Sequence, residues 1–144
     1  MNNIKDLQLG IAGEHIVCAD LILQGYIAYM SEQGLHYDVV VDLDGRLIRI
    51  QVKTTKTFKA VPQRKDYTPG YLFNIRRCGK GGRKMYGDKD VDIFALVAIE
   101  ENAVGYIPIS KIKTSMCFRT KKFVYKTNEK GRYLQDFSFE KCIK

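Results

Sequence analysis

The 144-residue sequence lacks several features that would have pointed elsewhere. Its four cysteines, Cys18, Cys78, Cys117 and Cys142, lie far apart, with no Cys-x-x-Cys pair. That argues against a zinc site of familiar spacing and against a disulfide framework. Reduced thiols in a cytoplasmic protein are the simple expectation. No apolar run approaches the roughly 20 residues that a membrane-spanning helix needs. The opening residues MNNIKDLQLG carry no apolar signal-peptide core. The Gly- and Lys-rich stretch CGKGGRKMYGDKD is not a phosphate-binding P-loop, because neither the first glycine nor the Ser or Thr after the lysine is in place. Nothing marks a linker. The expectation is one domain over residues 1–144, with 45% hydrophobic content to build a core.

Acidic residues are also scarce, 16 against 24 Lys and Arg, and their distribution is uneven. Residues 1–52 hold 3 Lys/Arg and 7 Asp/Glu, a net −4; residues 53–89 hold 11 and 2, a net +9. Residues 90–113 hold 2 and 4, a net −2, and residues 114–144 hold 8 and 3, a net +5. An acid-bearing first third beside two basic segments suits a protein that holds a cation and grips a polyanion. A basic solvated surface has the same composition.

What is present centres on YDVVVDLDGRLIRIQVKTT, residues 37–55. Asp44-Gly45 between two β-rich runs predicts a hairpin, because both turn residues tolerate positive φ. A two-residue turn sets Leu43 opposite Arg46, Val41 opposite Ile48, Val39 opposite Ile50 and Asp38 opposite Gln51. Alternation then puts Val39, Val41, Ile48, Ile50 and Val52 on a core face. Asp38, Gln51 and Lys53 share the other face at the open end, with Arg49 and Asp42 further along. An acid, an amide and a lysine so grouped suggest a site; a half-exposed antiparallel pair reads the same way.

Residues Ile4 to Gln24 read as a helix whose stripe is Ile4, Leu7, Ile11, Cys18, Leu21 and Ile22. Glu14 falls on that stripe, either at its edge in water or aimed at a cation shared with the hairpin. Gly10 and Gly13 permit close packing or a late helix start, and Gly25 ends the helix. Tyr26 to Met30 and Tyr71 to Arg77 are strand candidates, Asp92 to Glu100 a central strand, and Ala103 to Ile107 its hairpin partner across Glu101-Asn102. Pro108 opens a short helical turn. The tail alternates Phe123 and Tyr125, turns near Asn128 to Gly131, and continues through Tyr133, Phe137 and Phe139 as a basic, aromatic, β-rich extension. His36 is read as a loop residue.

The ordered blocks GIAGEHIVCADLILQGY, YDVVVD, IQVKT, VDIFALV and YIPI resemble PD-(D/E)XK nucleases. The resemblance is closer to the small endonuclease branch that includes intron-encoded homing endonucleases. It covers residues 7 to 113 and implies an α/β, restriction-endonuclease-like core, a mixed central β-sheet flanked by helices, over about 4–113, with 114–144 as the extension. It implies that Asp38 is the main metal-ligating carboxylate, joined by Glu14 and the Val52 carbonyl, that Lys53 orients or helps deprotonate the attacking water, and that Gln51 stands where the broader superfamily has an acid. The implied cofactor is Mg²⁺, with Mn²⁺ substituting. The implied partner is duplex DNA, held by Lys56, Lys59, Arg76, Arg77, Lys80, Arg83 and Lys84, and cut by a homo-oligomer, dimer or tetramer. A Holliday-junction resolvase of the same fold and a non-catalytic DNA-binding module are the alternatives. The expected setting is the cytoplasm or nucleoid, with a phage or mobile-element origin in keeping with the branch.

Overall fold

A computed structural model describes residues 5–59, 69–75, 87, 89–120 and 133–144. Its centre is a five-stranded sheet in the order β1-β2-β3-β5-β6. The strands are β1 (Ile27–Met30), β2 (Val39–Leu43), β3 (Arg46–Thr55), β5 (Ile93–Ala98) and β6 (Ala103–Pro108). Neighbours run antiparallel except β3 and β5, which are parallel and paired from Ile50↔Ile93 to Thr55↔Ala98. The sheet is therefore mixed, as expected. A separate two-stranded sheet pairs β4 (Tyr71–Asn74) with β7 (Ser115–Phe118).

The β2–β3 hairpin has the expected register, Val39↔Ile50, Val41↔Ile48 and Leu43↔Arg46. Asp44 and Gly45 take φ of 51° and 92°, the double positive φ of a type I′ turn. Asp42 Oδ1 accepts from the Gly45 N–H at 2.7 Å and closes that turn. The next hairpin turns over four residues, not two. Strand β5 stops at Ala98, a 3-10 turn covers Ile99–Glu101, and Asn102 takes φ 50°. Every side chain of β5 is buried, which fits a central strand covered on both faces.

Helix α1 spans Asp6–Leu23. It ends as Gly25 predicts: Gly25 N–H donates to the Ile22 carbonyl at 2.9 Å and Tyr26 N–H to Leu21 at 3.1 Å, with Gly25 at φ 96°. Its buried face is Leu9, Gly13, Val17, Cys18 and Leu21, which corrects the expected stripe. Leu7, Ile11 and Ile22 are exposed, and Ile4 lies outside the described residues. The apolar residues Leu7, Leu9, Ile11 and Ala12 in the N-terminal half of α1 do not keep to one face, so counting them does not choose it.

Two cores lie on opposite faces of the main sheet. One joins α1 (Val17, Cys18, Leu21) to Val39, Val41, Ile48, Ile50, Val52, Ile93, Ala95, Val97 and Tyr106. The other joins Phe94, Leu96, Ala98 and Ile107 to Tyr71, Phe73, Met116 and Phe118 of the small sheet. A helix covers the first face, whereas among the described residues the small sheet covers much of the second.

The C-terminal segment departs from its expected strands. Beyond β7 it forms a 3-10 turn at Leu134–Asp136 and a helix, α2, at Phe139–Ile143. Phe123, Tyr125 and the turn near Asn128 to Gly131 lie outside the described residues. Leu134 and Phe139 are fully buried, Phe139 edge-on to Tyr26 and Tyr106 at 4.8 and 5.5 Å. Alternate spacing of aromatics fits a strand or a turn followed by a short helix equally well, and the cavity beside β6 decides. Phe139→Ala should therefore cost about 3 kcal/mol and lower Tm by about 10 °C in thermal unfolding followed by circular dichroism. An unchanged Tm would mean the tail is not part of the core.

Candidate active site at the edge of strand β3

Strand β3 is longer than its neighbour. Strand β2 begins at Val39, opposite Ile50, while β3 runs on to Thr55 with β5 on its other side. Past Ile50, the β2-side edge of β3 has no strand partner among the described residues, and an open edge presents backbone donors and acceptors. Asp38 fills this position. Its N–H donates at 2.8 Å to the carbonyl of Ile50, the residue already opposite Val39, so Asp38 is displaced from the expected pairing with Gln51. Its Oδ2 then accepts the Val52 N–H at 2.9 Å, so the carboxylate stands where the next β2 residue would pair. The N–H and C=O of an extended residue point to the same side of the strand, so the Val52 carbonyl opens on the Asp38 side as well.

Glu14 reaches Asp38 from α1, and the two carboxyls share a hydrogen bond. Burial, then the negative Asp38, then this bond push Glu14 up to about 7. Asp38 is also raised, by burial, against the pull of the Val52 N–H, Lys53 and Glu14. The consistent arrangement is one proton held between two acids, on Glu14, with Asp38 ionised and accepting. Lys53 supplies positive charge to Asp38 from the next position along β3.

The site is two-sided. Helix α1 packs on the face of Ile50, Val52 and Thr54, so alternation sends Gln51 and Lys53 to the opposite face. Glu14 approaches from one side of the strand edge and Gln51 and Lys53 from the other, with Asp38 between them. The structure thus brings Glu14, Asp38 and Lys53 near one another, with Glu14 beside the buried face of α1 rather than on the expected stripe.

Other sequence candidates fall elsewhere. Arg49 does not face the site; its guanidinium spans both Asp92 oxygens at 3.1 and 3.2 Å, and its N–H donates to Asp92 at 2.8 Å. This ties the middle of β3 to the residue before β5 and holds Asp92 below the usual carboxylate range despite burial. Nothing in the sequence signals a pair 43 residues apart. His36 is an exposed loop residue, 3.7 Å from Asp90. Tyr71, the buried first residue of β4, donates to Glu100 at 2.6 Å and also touches Glu101, which Thr120 meets at 2.6 Å. Lys56 and Lys59 are exposed just beyond β3. Arg76, Arg77, Lys80, Arg83 and Lys84 lie outside the described residues.

A family profile described as PD-(D/E)XK endonuclease matches residues 4–140. The chain belongs to this family. It is also similar to Protein 5.3 of Escherichia phage T7, 34% identical over 110 residues that span 75% of this chain and 86% of that protein. The solved structure of a bacterial homing endonuclease, I-Ssp6803I, shares the fold with a TM-score of 0.67 at 19% identity, over 88% of this chain and 85% of that one. No helix among the described residues is long and apolar enough to cross a membrane.

PD-(D/E)XK endonucleases generally use divalent metal ions. The donors in this member fit one: two carboxyls in contact, a backbone carbonyl opening beside them, and room for water on the exposed side suit a hard cation that keeps several waters. Among the described residues no group of three or more His, Cys, Asp or Glu gathers, so any charge-balancing ligands here are the two acids.

The raised Glu14 predicts a pH dependence. A group whose folded pKa exceeds its unfolded value stabilises fully below about 4.5, and that contribution fades as pH rises through about 7. In chelator, the wild type should therefore lose stability relative to Glu14→Gln between pH 5 and 8. Solvent screening of this half-exposed carboxyl reduces the difference to about 1 kcal/mol, a few degrees of Tm. Calorimetry at pH 5 and pH 8 checks it; a difference that stays constant with pH would place Glu14 in ordinary solvent.

Proposed function

We propose that this protein is a Mg²⁺-dependent endonuclease that hydrolyses phosphodiester bonds of duplex DNA, in the manner of homing or restriction enzymes. The observation that carries the reading is the Asp38 carboxylate held on the Val52 N–H at the open edge of β3, with the Glu14 carboxyl brought against it and Lys53 beside it. Two acids kept together against burial and mutual repulsion are poorly explained as a stabilising contact and well explained as ligands.

Asp38, Glu14 and the Val52 carbonyl would hold the ion, releasing the shared proton. When bound, a divalent cation lowers the pKa of water and neutralises charge on the phosphate. Lys53, on the far side of the strand edge, orients the attacking water and donates to the phosphate as negative charge builds on its oxygens. Gln51 offers a neutral amide oxygen to the same water, without adding an anion that would repel the backbone. Water's oxygen forms the new bond to phosphorus and gives up a proton to solvent, the P–O bond to the leaving sugar oxygen breaks, and that oxygen takes up a proton from solvent.

Lys56 and Lys59 continue the basic strip away from Lys53, and Arg76, Arg77, Lys80, Arg83 and Lys84 add to it in sequence. Phosphate contacts of this kind give salt-dependent binding. One site serves one strand, so cutting a duplex calls for a twofold dimer or a tetramer. Relationship to a phage protein is in keeping with action on DNA in the bacterial cytoplasm or nucleoid.

Incubation of plasmid and a labelled four-way junction with Mg²⁺, Mn²⁺ or chelator tests the reading. Wild type should cut plasmid with either metal. Lys53→Ala and Asp38→Asn should each slow cutting by about 10³-fold or more, with binding measured in chelator within about threefold. Preference for symmetric junction nicking would reassign the substrate to Holliday junctions. Binding without cutting in any metal would leave a non-catalytic DNA-binding module, and cutting by Lys53→Ala at the wild-type rate would remove Lys53 from the site.

A further inference from the structure

We infer that Gly13 is a positioning residue, which brings Glu14 to Asp38 by letting α1 lie directly against β3. This rests on the reading of Glu14 and Asp38 as the cation-holding pair. A Cβ at Gly13 would fall 1.9 Å from Thr54 Oγ1, 3.1 Å from its Cβ and 3.2 Å from its Cγ2. No real contact is that short, and Thr54 has no way to yield. It is β-branched and short, and rotating χ1 leaves its Cβ in place at 3.1 Å, so turning the side chain does not clear the space. Its Oγ1 is already buried with no hydrogen-bond partner among the described residues. A hydroxyl left unsatisfied is costly, and its presence under Gly13 marks how closely the helix is pressed onto the strand.

The contact lies within the reach of the site. Thr54 is two residues beyond Val52, whose N–H binds Asp38, and Glu14 is the next residue after Gly13 on α1. Any side chain at 13 levers this turn of α1 outward and takes the Glu14 carboxyl with it. Gly10, one turn earlier, behaves differently: a Cβ there would meet nothing within 4 Å. The two glycines carry the same intrinsic penalty for helix formation, but only one is required by contact. Gly10→Ala is therefore the matched control, with the same gain in helix propensity and no displacement.

The test measures Mn²⁺ binding calorimetrically without DNA, and Tm in chelator, for wild type, Gly10→Ala, Gly13→Ala and Gly13→Ala with Thr54→Ala. Displacing a group that holds a ligand typically weakens metal binding by about tenfold or more, so Gly13→Ala should lose at least that factor. Gly10→Ala should bind within about twofold of wild type and melt at the same temperature or higher. Removing the Thr54 hydroxyl and methyl should restore part of the loss in the double variant, since only the 3.1 Å contact to Cβ remains. Should Gly13→Ala not fold, Thr54→Ile pushes from the strand side and should show the same loss. Mn²⁺ affinity in Gly13→Ala equal to wild type, or losses equal in Gly10→Ala and Gly13→Ala, would overturn the positioning role alone. A wild type that binds no Mn²⁺ would overturn the cation site as well.

Discussion

The site depends on one hydrogen bond, from the Val52 N–H to Asp38 Oδ2 at 2.9 Å. It exists because two paired strands differ in length. Strand β2 gives out at Val39 while β3 continues to Thr55, and an unpaired edge must have its donors satisfied by something. A side-chain carboxylate satisfies this donor, which fixes the position of the acid to within the tolerance of a β-ladder. The second oxygen of the same carboxylate is left for Glu14. Backbone geometry, rather than a flexible loop, therefore sets the distance between the two acids.

Two aspartates show what kind of contact this is. Asp92 and Asp38 both feel burial as the largest influence, which raises a carboxyl. Asp92 ends below its ordinary value because Arg49 supplies two guanidinium contacts and a backbone N–H. Asp38 ends above its ordinary value because one N–H and the field of Lys53 do not offset burial. The first is a compensated structural ion pair. The second is under-compensated, with another acid brought alongside to make matters worse. A fold that can neutralise a buried aspartate, and does so at Asp92, leaves Asp38 short of positive charge. A bound divalent cation would remove this deficit.

The parts of this arrangement that were legible in the sequence are local. Asp44-Gly45 fixes the hairpin register from Leu43↔Arg46 to Val39↔Ile50, and that register delivers Asp38 to the open end beside Gln51 and Lys53. The strand β5 is legible as an unbroken apolar run. Contacts between distant segments were not: the parallel pairing of β3 with β5 and the Arg49–Asp92 tie have no local signature. The face of α1 was misread because Leu7 and Ile11 look like core yet stand in solvent, while Gly13, which has no hydrophobic content, is buried. Packing chose the face that lets the helix approach, and a pattern of apolar residues does not record closeness of approach. Phe137 and Phe139 were read as strand because a period of two over so few residues does not distinguish strand from turn and helix.

The two-sided geometry also gives a physical account of Gln51. Glu14 and Asp38 already share one proton, and burial opposes ionising both. A carboxylate at 51, across the strand edge from them, would be a third acid drawing on the same Lys53. With one lysine in the neighbourhood, each further anion raises the cost of the empty site and attracts a further proton rather than a further cation. The amide keeps an oxygen on the Lys53 side without that charge. Placing the second acid on the helix, behind the strand, separates the anionic side of the site from the side where a polyanionic backbone with its own negative charge would have to approach. Lys53 then lies on β3 with the exposed Lys56 and Lys59 just beyond its end, and the acids lie at its edge.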